Sequence, residues 1–207
     1  LWTYTTYYKV DLPGYATYPG HETVTIGKQQ VNPVTNVAVT AAGVVTWTAS
    51  SNASSYEISI DNSNYTAATS GIDYKSAITA ATGTRTVYVR SVCDSTNYNT
   101  PSANAAKSTS VYSVTLTKGS GISEVSGAGN YITGATVTLG ATALTGYTWS
   151  EWTQTSGGAQ VSTTNAYSAV ISSNWAYTSN ATINSPNRPH MIGNFTAIYG
   201  QRLSMQL

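Results

Sequence analysis

The sequence has little charge, one cysteine and one phenylalanine. Lys, Arg, Asp and Glu make up 8% of its 207 residues, and the formal net charge is +1. Such a balance leaves no electrostatic footprint for nucleic acid or for an anionic membrane surface. A single cysteine, Cys93, cannot close an internal disulfide, so the redox compartment stays open. The two histidines, His21 and His190, stand in different segments without a ligand-spaced neighbour, which argues against a zinc site. No stretch approaches the ~20 consecutive apolar residues of a membrane helix. The opening residues lack the basic-then-apolar pattern of a leader. Because position 1 is Leu rather than Met, the chain is expected to be a processed product or a fragment.

What is abundant is hydroxyl and aromatic: sixteen Tyr and five Trp stand in a background of Thr, Ser and Val. This composition favours strands. Regularly spaced Val, Ile, Tyr and Trp also supply the apolar anchors that a disordered coat would lack. Strand-like runs bounded by Gly, Asn, Ser or Pro recur at 34–40, 44–49, 56–61, 85–92, 112–118, 135–141, 166–172 and 194–200, and no window has helical periodicity. The chain is therefore expected to be all-β. Val37 and Val39, Val45 and Trp47, and Tyr56, Ile58 and Ile60 alternate, giving each strand one apolar face. Such faces need a second sheet to cover them, which implies a sandwich. The pattern weakens at Pro33 and across "NTPSANAAKSTS", 99–110. These breaks divide the chain into an N-terminal β segment, 1–32, a first domain, 33–110, a second domain, 111–200, and a tail, 201–207.

Within 33–110, "PVTNVAVTAAGVVTWTASSNASSYEISID" and "AITAATGTRTVYVRSV" resemble a bacterial fibronectin type III domain. The marks are the Trp of the second strand, Ala-x-x-Tyr-x-Ile in the third, the corner "ITAATGT" and the Val-x-Val-x-Ser-Val strand after it. The resemblance implies an immunoglobulin-like sandwich. One departure stands out: Arg85 occupies the place of the usual corner tyrosine, and a buried guanidinium there would need partners. From 112 onward, "YSVTLT", "GAGNYITGATVTL", "GYTWSEW" and "STTNAY" follow one another over about 60 residues. This order resembles the internalin-type B-repeat of bacterial surface proteins, a small β domain. The resemblance implies that Tyr147, Trp149 and Trp152 are mainly core and that Glu151 points to solvent. By spacing, Tyr147 and Trp149 share a strand face, while Trp152 needs a bend to join them. Beyond 172 the pattern loosens, and the loop "PNRPH", 186–190, reads as an insertion.

Nothing in the sequence assembles a catalytic site. The eight carboxylates, Asp11, Glu22, Glu57, Asp61, Asp73, Asp94, Glu124 and Glu151, are scattered one to a strand or turn, whereas a glycosidase needs two facing each other across a cleft. "DNSN" (61–64) and "CDSTN" (93–97) lack the acidic count of a calcium loop, and turn chemistry accounts for both. "GSGISEVSGAG" (119–129) lacks the Gly-Lys-Ser/Thr ending of a phosphate loop and reads as a hairpin. The expectation is a protein that is not an enzyme and takes no cofactor or metal.

The ends carry the functional expectation. Residues 1–27 are aromatic and Thr-rich, with strand-like runs at 2–10 and 22–26. An exposed strand bearing Trp2, Tyr4, Tyr7 and Tyr8 would be an aggregation hazard unless another chain completes it. These four residues are the candidate inter-subunit strand, and "QRLSMQL" is an alternative docking segment. Trp175 and Tyr199 are candidate open aromatic contacts for a glycan. The sequence thus points to a secreted bacterial surface protein of structural or adhesive role. The favoured form is a subunit of a pilus-like filament joined by β-strand addition, with self as partner. The alternative is a monomeric stalk or a glycan-binding accessory module facing a host or cell surface. No nucleic-acid partner and no membrane span are expected.

Overall fold

The computed structural model describes residues 2–26, 29–93 and 98–184. Among the described residues nearly all regular structure is strand, with one four-residue helical turn, so the fold is all-β, with sandwich packing. The chain opens with β1 (Trp2–Val10) and β2 (Tyr18–Ile26), an antiparallel ribbon. There follow β3 (Gln29–Gln30), β4 (Thr35–Val39), β5 (Val44–Thr48), β6 (Ser55–Ser59), β7 (Thr66–Ala68) and β8 (Ile72–Asp73). A single helical turn, α1 (Lys75–Ile78), leads into β9 (Gly83–Val92), β10 (Tyr98–Thr100) and the long β11 (Ala105–Lys118). The remaining strands are β12 (Ile122–Ser126), β13 (Gly129–Ile132), β14 (Thr136–Thr138), β15 (Gly140–Ala143), β16 (Tyr147–Gln154), β17 (Gln160–Ser162), β18 (Ser168–Val170) and β19 (Trp175–Ile183).

Two cores organise these strands. In the first, the three-stranded sheet β4-β5-β8 faces the run β7-β6-β9-β11. Alternation selects the core residues: Val45 and Trp47 of β5 are buried while Thr46 and Thr48 face water, and Val87 and Val89 of β9 are buried by the same rule. Ile58, Ile78, Val111 and Ile132 complete this core. Its buried hydroxyls are paired: Ser91 donates its N–H to Ser102 Oγ at 2.8 Å, and the Ser50 and Ser91 hydroxyls share a bond of 2.8 Å.

The second core gathers Val114, Val137, Leu139, Trp152, Ile171 and Trp175. β16 pairs antiparallel with β19, and β19 pairs parallel with β11, so the sheet of the first half continues into the second. β11 is the shared member. Its residues Ala105–Val111 pair with β9, and Val114–Lys118 pair with β19. The break expected between 110 and 111 falls inside this one strand, where Val111 faces the first core and Val114 the second.

The corner carrying Arg85 is closed differently from the expected pattern. Arg85 sits in β9 opposite Thr109, partly buried, and its Nε is buried without a hydrogen-bond partner. Tyr74, just before α1, ties the chain instead: its hydroxyl accepts the Thr69 N–H at 3.0 Å and donates to the Thr69 carbonyl at 3.2 Å.

Candidate interaction surface

Among the described residues, the ribbon β1–β2 is the most exposed element. Its register runs from Trp2 opposite Ile26 to Val10 opposite Tyr18. The turn at Leu12–Tyr15 helps close it: Pro13 presets its own φ, Gly14 adopts φ +83°, and the Tyr15 N–H donates to the Leu12 carbonyl at 3.0 Å. Asp11 pins the loop further. It receives the Thr17 hydroxyl at 2.6 Å and pairs with Lys9 at 2.9 Å, and these two contacts, Thr17 first, hold its carboxyl below the ordinary range.

Cross-strand pairs share a face, so the register sorts the ribbon into two sides. Tyr4, Tyr8 and Val10 of β1 fall with Tyr18 and Val24 of β2. Thr3, Thr5, Tyr7 and Lys9 fall on the other side with Pro19, His21, Thr23 and Thr25. The first side carries these tyrosines and valines together with Thr6, Gly20 and Glu22, and the other is mostly polar. Neither is covered: Tyr4 is 56% exposed, Tyr7 79% and Tyr18 78%, and no other described element packs extensively on either strand. Tyr8 lies flat across the ribbon over Gly20, where any Cβ would stand inside its ring. Tyr7 and His21 meet across the polar side with ring centres 6.0 Å apart. Trp2 is placed in β1, and its side chain lies outside those described.

The strand expected at 2–10 matches β1. The strand expected at 22–26 is longer, because β2 begins at Tyr18. Sequence reasoning therefore missed Val10, Tyr18 and Val24 as members of the aromatic face. The signal was present in the alternation of positions 18, 20, 22, 24 and 26, hidden by the breakers Pro19 and Gly20.

Trp175, expected as an open ligand contact, is corrected by the structure. It is only 8% exposed and packs in the second core, stacked on Tyr177 with ring centres 5.6 Å apart. It opens β19, a strand that the polar "SSN" before it concealed. Tyr199, the loop 186–190 with His190, and the tail 201–207 lie outside the described residues.

The aromatic pair of 146–152 belongs to the core. A register shift between Trp149 and Glu151 supplies the bend that brings Trp152 beside Trp149, their ring centres 6.3 Å apart. Trp152 is fully buried and donates its indole N–H to the Asn165 carbonyl at 2.9 Å, and Trp149 donates to Ser179 Oγ at 3.0 Å. Tyr147 lies partly buried over Gly121. Glu151 is half-buried rather than free, and accepts a bond from the Gln160 amide.

Glu57, Arg90 and Asp61 are tied up locally. Glu57 pairs with Arg90 at 2.7 Å, and the Arg90 guanidinium stacks 3.7 Å from the Tyr65 ring centre. Asp61 accepts the backbone N–H groups of Asn64 and Ser63 at 2.8 and 2.9 Å, the Asn64 amide and the Ser59 hydroxyl. The two Asn64 bonds lead in pulling its carboxyl far below the usual range. This is the turn chemistry expected of "DNSN". Among the described residues, no three His, Cys, Asp or Glu side chains gather where a metal ion could sit. No described helix is long and apolar enough to cross a membrane. Cys93 is partly buried and unpaired.

Residues 112–184 match the family model of the divergent InlB B-repeat domain. That family is associated with bacterial surface proteins, and the match suggests a surface-associated module over this part of the chain. No curated protein matches the chain significantly.

Proposed function

We propose that the chain is an extracellular structural or adhesive module of a bacterial surface protein, without catalytic function, whose copies join through the β1–β2 ribbon. The observation that carries this reading is the ribbon itself: two nine-residue strands exposed on both sides, with an aromatic face that none of the other described elements covers. A lone two-stranded ribbon is marginal in water, and added strands are what stabilise it. The B-repeat match supports the surface setting. The first core supports a fibronectin type III-like reading of 33–110: a three-stranded sheet opposed to a four-stranded run is the sandwich arrangement of that family. Modules of both kinds suit tandem use as spacers in a stalk or a pilus-like filament, which is analogy at the level of fold.

The test is negative-stain electron microscopy with sedimentation velocity on the whole chain and on a chain lacking residues 1–26. Assemblies of the whole chain that vanish on truncation support the reading. Single particles of both chains refute it. A second reading, glycan binding, rests on the flat Tyr8 ring over Gly20 with Tyr18 on the same face, since stacking on sugar rings needs open aromatic faces. A glycan array on the two chains tests it, with binding lost on truncation as the expected result.

A further inference from the structure

The ribbon has two edges, and they differ. Lys9 stands opposite Pro19. Proline has no N–H, so this must be a pair whose backbone groups point away from the partner strand. Alternation then turns the N–H and C=O groups of Thr3, Thr5, Tyr7 and Lys9 outward on β1, and those of Pro19, His21, Thr23 and Thr25 outward on β2. The β1 edge is complete. The β2 edge lacks a donor at Pro19, a device that blunts an edge against addition.

A complete nine-residue edge calls for an acceptor of matching length. Among the described residues, the strands that end the other sheets are short: β7 and β17 have three residues, β8 two, and β4 five. The other two-stranded sheets, and β13 beside β11, offer no strand longer than five residues. The matching edge in hand is β1 of another copy.

We infer that β1 pairs antiparallel with β1 of a second copy across a two-fold axis, making one four-stranded sheet from two ribbons. This deepens, and rests on, the proposal that the copies join through the ribbon. One register engages every outward group: Thr3 opposite Lys9 of the second copy and Thr5 opposite Tyr7, with Thr6 on the axis facing its own counterpart. In this register the aromatic faces merge, Tyr4 coming opposite Tyr8 of the second copy, where cross-strand aromatic pairs attract. Lys9, the one charge on the β1 edge, meets a threonine rather than a like charge. Because the same surface is used on both partners, the contact closes on itself. The assembly it makes is a pair and not an open chain.

The experiment uses the whole chain in a Cys93→Ser background. Thr6→Cys places two thiols at a pair without backbone hydrogen bonds, where Cβ atoms lie closest, so mild oxidation with oxidised glutathione is expected to give a covalent dimer on a non-reducing gel. Cysteine at Thr3 faces Lys9 instead and is expected to cross-link poorly. Thr5→Pro removes an outward donor without touching the β1–β2 ladder. It is expected to shift the sedimenting mass from twice 21.8 kDa to 21.8 kDa. A dimer that persists in Thr5→Pro, does not cross-link at position 6 and disappears on removal of 1–26 would overturn edge pairing while leaving association through the ribbon intact. Open polymers of the parent chain would overturn the two-fold closure alone. A parent chain that stays at 21.8 kDa at high concentration would overturn both.

Discussion

β1 and β16 are both aromatic strands of similar length, and the protein treats them in opposite ways. In β16, Trp149 and Trp152 are brought together by a register shift and roofed by Leu139, Ile171 and Trp175 from distant parts of the chain. In β1, Tyr4 and Tyr8 share a face with Val10, Tyr18 and Val24, and no layer of the described residues lies above them. Alternation of aromatics marks a face on a strand. Whether the face is covered is decided by segments elsewhere in the chain, or in another chain.

The contrast can be tested from its strongest point. Trp152→Ala empties a fully buried site and removes the indole bond to the Asn165 carbonyl, which keeps only the Tyr167 N–H at 2.8 Å. It is expected to cost about 3–5 kcal/mol in urea unfolding. Tyr4→Ser, at a site 56% exposed, is expected to move the same transition by no more than about 0.5 kcal/mol while weakening the dimer. Equal effects would erase the distinction between the two strands. Gly121→Ala probes the margin of the covered face. Gly121 has φ +79° and lies under the Tyr147 ring, so the substitution is expected to cost about 1–3 kcal/mol, read as a lower urea midpoint with Trp152 still buried. The smallest effect separates two carboxylates. Asp61, in the body, and Asp11, in the ribbon, are both held below their ordinary range. A depressed carboxyl contributes stability above the unfolded-state value, about 3.9, and that contribution is lost as pH falls through the acid range. Asp61→Asn is therefore expected to flatten the acid limb of the body's unfolding curve, whereas Asp11 sits in a ribbon that packs extensively on no other described element, so Asp11→Asn is expected to leave that limb unchanged.

Local pattern carried much of this fold. β5 was legible because Val45 and Trp47 alternate with Thr46 and Thr48, and β1 and β9 because aromatic and β-branched residues run through each. The need for a bend before Trp152 was legible too, because 149 and 152 differ in parity. β19 was not legible. Its central inward position is Ser179, fully buried as the acceptor of the Trp149 indole, so a hydroxyl stands where the pattern calls for a hydrocarbon. Burial of Trp175 was hidden for a related reason: what buries it is the parallel pairing of β19 with β11, some 60 residues away in sequence, and periodicity within a strand carries no information about such a partner. In the candidate surface, the tyrosines of β1 were legible, whereas their partners Tyr18 and Val24 were masked by Pro19 and Gly20, residues that break central strands but are at home on an edge.

The continuity of β11 has a mechanical meaning. In a tandem surface protein, the joint between modules is ordinarily a linker, and a linker is a hinge. Here the joint is the middle of a strand hydrogen-bonded to β9 on one half and to β19 on the other. Tension entering one half passes along a covalent backbone already held in sheet geometry, with no slack to take up first. The two halves transmit load as a single lever, and a pull on the molecule must shear a ladder before one half can bend against the other.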